Sequence, residues 1–156
     1  MTLSETPNAT TPNAPAGIDP RGPRFGAGVT AVLLVVVLLL GGSAATILLA
    51  VVAASFALGA VGGTGATWQG WLFRTLVRPR LAPPSELEDP RPPKFAQLVG
   101  LVITTLGVVG GLLGVTWAVP LAAVFALVAA FLNAVFGLCL GCEMYLLGVR
   151  LRTRSA

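Results

Sequence analysis

Leu33-Leu34-Val35-Val36-Val37-Leu38 decides the fold class, because six successive apolar residues lack the alternating polarity of a membrane β-barrel strand. Working outward, no Asp, Glu, Lys or Arg occurs between Phe25 and Phe73, and none between Phe95 and Cys142. A helix needs about 20 apolar residues to cross ~30 Å of hydrocarbon, so each of these two blocks holds two crossings. Composition agrees: 55% of the 156 residues are hydrophobic and 10% charged, whereas a soluble domain carries roughly a quarter charged residues. The chain reads as an all-α membrane protein.

The breaks fall where hairpin turns belong. Gly41-Gly42-Ser43 separates a helix near Phe25–Leu40 from one near Ala45–Gly62, and the stretch from Gly114 to Pro120 separates Phe95–Leu113 from Pro120–Leu138. Pro120 suits a first helical turn and Trp117 suits the headgroup level. All ten basic residues lie outside the two hairpin turns: Arg21 and Arg24 before helix one, Arg74, Arg78, Arg80, Arg91 and Lys94 between helices two and three, and Arg150, Arg152 and Arg154 after helix four. The positive-inside rule then puts both termini and the central loop in the cytoplasm of a bacterial plasma membrane. Residues 1–18 read as a disordered cytoplasmic tail, 19–150 as one transmembrane domain, and 151–156 as a basic tail.

The domain divides into two similar halves, 19–80 and 89–150. Asp19-Pro20-Arg21-Gly22-Pro23-Arg24-Phe25 recurs seventy residues later as Asp89-Pro90-Arg91-Pro92-Pro93-Lys94-Phe95. With one residue of slippage, Trp68-Gln69-Gly70-Trp71 aligns with Cys139-Leu140-Gly141-Cys142. Two repeated helical hairpins follow, with interfacial helical segments after helices two and four and an axis along the membrane normal. The Asp-Pro-Arg box fits a capped helix entry anchored among lipid headgroups, or else a docking surface for a cytoplasmic partner. Trp68, Trp71 and the neighbouring arginines fit an inner-leaflet interfacial helix better than a nucleic-acid patch.

Reactive groups are scarce. Histidine is absent, which removes most haem sites, most catalytic zinc sites and histidine general-base chemistry. The spans contain no ionisable group, which argues against a proton-coupled transporter, a voltage sensor or an ion pump. Asn133, Thr104 and Thr105 are expected to hydrogen-bond between helices or to backbone carbonyls. No cofactor or metal is expected within one chain.

Cys139 and Cys142 remain as the candidate reactive pair, at the cytoplasmic edge of helix four. A structural disulfide is disfavoured in that reducing compartment, whereas a cycling dithiol, a sulfur-carrying thiol or a metal ligand pair fits. If Gly137 breaks the helix, the cysteines start a new one, whose dipole lowers a thiol pKa. If the helix continues, Cys139, Cys142 and Glu143 share a face, and Glu143 modulates the thiols. The alternative is a small-residue packing patch of Gly137, Cys139, Gly141 and Cys142. Two subunits of a homo-oligomer could pool four cysteines around a metal.

The two Asp-Pro boxes, Arg78-Pro79-Arg80-Leu81, and the stretch Phe131-Leu132-Asn133 through Cys139-Leu140-Gly141-Cys142-Glu143-Met144-Tyr145 resemble a largely actinobacterial family of small integral membrane proteins known as a domain of unknown function. The resemblance spans about residues 18–150. It implies four helices and the cysteine box, and it implies thioredoxin-like or sulfurtransferase partners, whose genes often lie near those of the family. The expected function is thiol–disulfide or sulfane-sulfur handling through Cys139 and Cys142. A membrane scaffold whose cysteines only pack is one rival, and passive transport of a small solute is another.

Overall fold

Residues 17–154 are described in a computed structural model of the chain. The expected N-terminal tail falls outside them up to residue 16. The helices are α1 (Arg21–Leu40), α2 (Gly42–Gly62), α3 (Trp68–Leu72), α4 (Arg91–Leu112), α5 (Ala118–Phe136) and α6 (Leu140–Arg154). Four of them, α1, α2, α4 and α5, are long and apolar enough to cross a membrane, with mean hydropathies of 1.9 to 2.3. At 1.5 Å rise per residue, the 19 to 22 residues of each reach roughly 30 Å.

The spans begin earlier than the apolar pattern suggests. Entries expected at Phe25 and Phe95 lie instead at Arg21 and Arg91. The reason is local: Asp19 Oδ1 accepts from the Arg21 backbone N–H at 3.0 Å, and Asp89 Oδ1 accepts from that of Arg91 at 2.9 Å. Pro23, Pro92 and Pro93 occupy first turns, where a missing N–H leaves no helical bond unmade. These entries give α1 the full crossing length that Phe25–Leu40 lacks. The fourth span is likewise shifted, to Ala118–Phe136 from the expected Pro120–Leu138.

Glycines set how closely the spans approach. Along α4, Gly100 lies under Phe56, Gly107 against Leu49 and Gly111 against Thr46, so residue numbers fall on α2 as they rise on α4. The two helices are therefore antiparallel. Gly107 and Gly111 also face Ala122 and Val119, and Gly28 of α1 faces Ala134 of α5. Small residues let backbones meet where lipid supplies no hydrophobic drive between helices. Leu34, Val37, Leu49, Val52 and Ala123 form the packed centre, while Leu39, Val61 and Leu112 stand outward. Thr104 donates to the Gly100 carbonyl at 2.8 Å within α4, as expected, whereas Asn133 makes no side-chain hydrogen bond among the described residues.

This packing collects one set of ends together. Ile18 and Glu88 exchange backbone hydrogen bonds of 2.9 Å in both directions, which holds the entries of α1 and α4 side by side. Arg24 at the start of α1 reaches the end of α5, and Gly59 near the end of α2 meets Gln97 near the start of α4. The π-helical turn Phe73–Val77 that follows α3 packs on α1 through Phe25 and Phe73, with ring centroids 5.8 Å apart. α6 packs on α4 through Phe95 and Tyr145, also at 5.8 Å. The opposite end holds Gly41 and the turn at 113–117.

Candidate functional site

The cysteine box owes its placement to Gly137. This residue adopts the left-handed conformation, φ +70°, in which a β-carbon is disfavoured. Its N–H bonds the Asn133 carbonyl at 3.1 Å and the Leu138 N–H bonds that of Leu132 at 3.2 Å, a paired termination that closes α5. The helix does not continue, so the face shared by Cys139, Cys142 and Glu143 belongs to a new helix. The Cys139 carbonyl accepts the first bond of α6, from the Glu143 N–H at 3.0 Å. Cys139 thus caps α6, with Cys142 and Glu143 in its first turn.

The two cysteines are joined. Their Cα atoms are 5.2 Å apart and their sulfurs form a disulfide. Sequence reasoning disfavours a structural disulfide at this position; the structure has the pair closed. Gly141 between them does serve packing: a β-carbon there would come within 2.6 Å of Ala96 on α4.

A cavity of about 600 Å³ lies beside the disulfide, between the bundle and its two added segments. Cys139, Cys142, Glu143 and Arg24 line one part of it, and Val52, Phe56, Ile103 and Phe125 another. Gln69, Gln97 and Asn133, the three carboxamides of residues 17–154, all line it. Gln69 is 4% exposed, and its Oε1 has no hydrogen-bond partner among the described residues. Its backbone is fixed by Thr67, whose Oγ1 accepts from the Gly70 N–H at 3.0 Å and donates to the Thr64 carbonyl at 2.8 Å. A buried acceptor left unpaired costs about 1–3 kcal/mol, so the site awaits a donor.

The basic residues proposed for the interface divide into two kinds. Arg21 pairs with Asp19 at 2.9 Å and donates to the Ala82 carbonyl, Arg74 donates to that of Gly65 at 2.7 Å, and Arg80 to that of Leu76. Arg24 donates to the Val135 carbonyl at 3.3 Å and lies against Gly137. These guanidiniums tie the loops and helix ends together. Arg78 lies near Asp19, while Arg91 and Lys94 contribute backbone hydrogen bonds. Hydrogen bonds from Arg21 hold the Asp19 carboxyl below its ordinary value, against a smaller upward push from burial. Trp68, 40% exposed, donates from Nε1 to Ser55 Oγ at 2.6 Å, and Trp71 is 58% exposed.

Sequence reasoning groups the cysteines with Glu143 but assigns Arg24 to the lipid interface or a docking surface, and it misses Gln69 and Gln97; all of them line the cavity. The available signal was the rarity of carboxamides inside charge-free blocks. Asn133, expected only to hydrogen-bond, lines the cavity with both cysteines.

Fold and site together define a four-helix membrane protein with a cysteine pair at one end of the bundle. The chain belongs to the family described as Domain of unknown function (DUF4395), whose profile matches residues 18–150. No curated protein and no solved structure shows significant similarity to it.

Proposed function

We propose that the protein is a thiol–disulfide carrier of the bacterial plasma membrane, in which Cys139 and Cys142 exchange with a soluble thioredoxin-like protein. The observation that carries this reading is the disulfide across the cap and first turn of α6, beside the cavity at the end where the basic residues gather. By the positive-inside rule that end and both termini face the cytoplasm. Exposed Trp68 and Trp71 fit an interfacial position for α3, and Arg150, Arg152 and Arg154 on α6 fit contact with anionic headgroups.

The exchange step conserves its electrons. A thiolate of the partner attacks one cysteine sulfur, the Cys139–Cys142 bond breaks and a mixed disulfide forms. The partner's second thiolate then attacks its own sulfur in that bond. The partner leaves as a disulfide, and two electrons and two protons reside on Cys139 and Cys142. Transfer of sulfane sulfur through the same thiols would instead leave a persulfide on one of them.

We further read the halves as repeats related by a two-fold axis. Support comes from the mutual hydrogen bonds of Ile18 and Glu88, the matching caps of Asp19 and Asp89, and the matching ring pairs Phe25–Phe73 and Phe95–Tyr145.

The decisive experiment isolates native membranes, alkylates free thiols before and after reduction, and weighs the intact protein. A reducible pair, and a mixed disulfide trapped in Cys139→Ser or Cys142→Ser, is the expected outcome. A double serine variant with full cellular function, and no trapped species in either single variant, would leave only the packing role of a scaffold. A trapped persulfide selects sulfur transfer.

A further inference from the structure

A carrier that accepts electrons from a soluble dithiol must pass them on, and the cavity beside the disulfide points to the acceptor. Resting on the thiol–disulfide reading, we infer that the cavity binds the head group of a membrane quinone, which reoxidises the Cys139–Cys142 dithiol and leaves as the quinol.

Four observations converge on this ligand class. The cavity volume, about 600 Å³, lies within the ~300–1,000 Å³ range of small-molecule sites. Phe56, Phe125, Ile103 and Val52 give it an apolar and aromatic wall suited to a flat ring. Phe125 is 60% exposed and Met144 56% exposed while both also line the cavity, so a lipid-soluble molecule reaches it from the side of the bundle. Gln69, Gln97 and Asn133 bring neutral hydrogen-bonding groups to a cavity that Arg24, Glu88, Asp89 and Glu143 also line, and none of the three needs a charged ligand. A quinone offers two carbonyl acceptors to amide donors, and a quinol offers the hydroxyl that the unpartnered Gln69 Oε1 lacks. Preference for that hydroxyl favours the product of the forward reaction.

The balance closes without a further reagent. The dithiol loses two electrons and two protons as the S–S bond forms; the quinone gains both and becomes the quinol. Added to the exchange step, a soluble dithiol and a quinone become a soluble disulfide and a quinol.

The test uses purified full-length protein in lipid nanodiscs, reduced, desalted and mixed anaerobically with decylubiquinone while the quinone absorbance is followed. Wild type is expected to consume one quinone per disulfide formed, with saturation, and the Cys139→Ser/Cys142→Ser variant none above background. In the double serine variant, decylubiquinone should still quench tryptophan fluorescence saturably, which reads binding apart from chemistry. Gln69→Leu should weaken the same quenching by decylubiquinol, whose hydroxyl donates to Gln69 Oε1, about tenfold, the equivalent of ~1.4 kcal/mol for one buried hydrogen bond. In quinone-free nanodiscs the same variant should melt no lower than wild type, because it deletes an unpaired acceptor. Thiol exchange with a thioredoxin but no saturable quinone consumption overturns the quinone site and leaves the carrier standing. Quinol quenching that Gln69→Leu does not change overturns the assigned site. Loss of both exchange and quinone consumption in wild type removes the carrier reading itself.

Discussion

Trp68-Gln69-Gly70-Trp71 and Cys139-Leu140-Gly141-Cys142 follow the second helix of each half, and they are held in place by opposite means. The first is locked by hydrogen bonds: the Thr67 cap, Trp68 to Ser55, and Arg74 to the Gly65 carbonyl. The second has a glycine helix stop before it and a covalent bond within it. Each sets a glycine in its third position against a neighbour, Gly70 against Thr64 and Gly65, and Gly141 against Ala96. The hydrogen-bonded segment presents an unpaired carboxamide to the cavity, and the other presents its joined cysteines. Two segments thus line one cavity, one held by hydrogen bonds and the other by a covalent bond.

The largest break in this comparison removes the covalent difference. In Cys139→Ser/Cys142→Ser, exchange with a thioredoxin-like protein should vanish, read as loss of any trapped mixed disulfide. The Trp68→Phe/Trp71→Phe variant should keep exchange within a factor of a few, although the lost Ser55 hydrogen bond lowers the melting temperature. If the tryptophan variant loses exchange and the serine variant keeps it, the roles of the two boxes are reversed.

Next in size are the shared glycines. Gly141→Ala places a methyl within 2.6 Å of the Ala96 backbone, and Gly70→Ala places one against the Thr64 carbonyl oxygen. Overpacking of this kind costs about 1–3 kcal/mol, so both variants should melt lower in nanodiscs. Gly148→Ala meets open space on the same helix as Gly141 and should be neutral or stabilising. If Gly148→Ala destabilises α6 as much as Gly141→Ala, helix packing through Gly141 is not what holds the cysteine box.

A smaller effect separates Arg24 from Lys94, the corresponding basic residue seventy positions on. Arg24 donates to carbonyls at the end of α5 just before the cysteine box, a cation at a helix C-terminus worth about 0.3–1 kcal/mol. Arg24→Gln should therefore lower the melting temperature slightly and slow thiol exchange. Lys94→Gln should change neither. Equal effects would mean that net charge, rather than contact with α5, is what these residues supply.

How much of this was legible follows from which forces act locally. Four spans follow from charge-free length, because a single ionised group in hydrocarbon costs several kcal/mol and its absence over such distances is unambiguous. The stop at Gly137 was legible only as an alternative, since glycine is tolerated inside membrane helices and nothing in Phe136-Gly137-Leu138 fixes its sign of φ. The early starts at Arg21 and Arg91 were hidden because hydropathy counts arginine and proline against a helix, whereas an aspartate cap and the free N–H positions of the first turn reverse that. The cavity was not legible at all. Gln69, Gln97 and Asn133 come from α3, α4 and α5, and only the packing of these three helices with the rest of the bundle brings them to one cavity.

The smallest predicted effect distinguishes the two caps that open the halves. Asp19 accepts both the Arg21 backbone N–H and two guanidinium bonds of 2.9 Å, whereas Asp89 accepts only the Arg91 backbone N–H among the described residues. At neutral pH, Asp19→Asn should lower the melting temperature more than Asp89→Asn. The pH dependence has a definite sign. Because the folded Asp19 carboxyl titrates below its ordinary value of 3.8, the unfolded chain takes up the proton first as pH falls. The stabilisation is present above that value and is lost as pH falls through it toward the lower folded value. Melting curves of wild type and Asp19→Asn recorded from pH 7 to pH 3 should therefore converge at the acid end. A gap that stays constant over that range would show that Asp19 holds the α1 entry by shape and neutral hydrogen bonding, and that its charge contributes nothing.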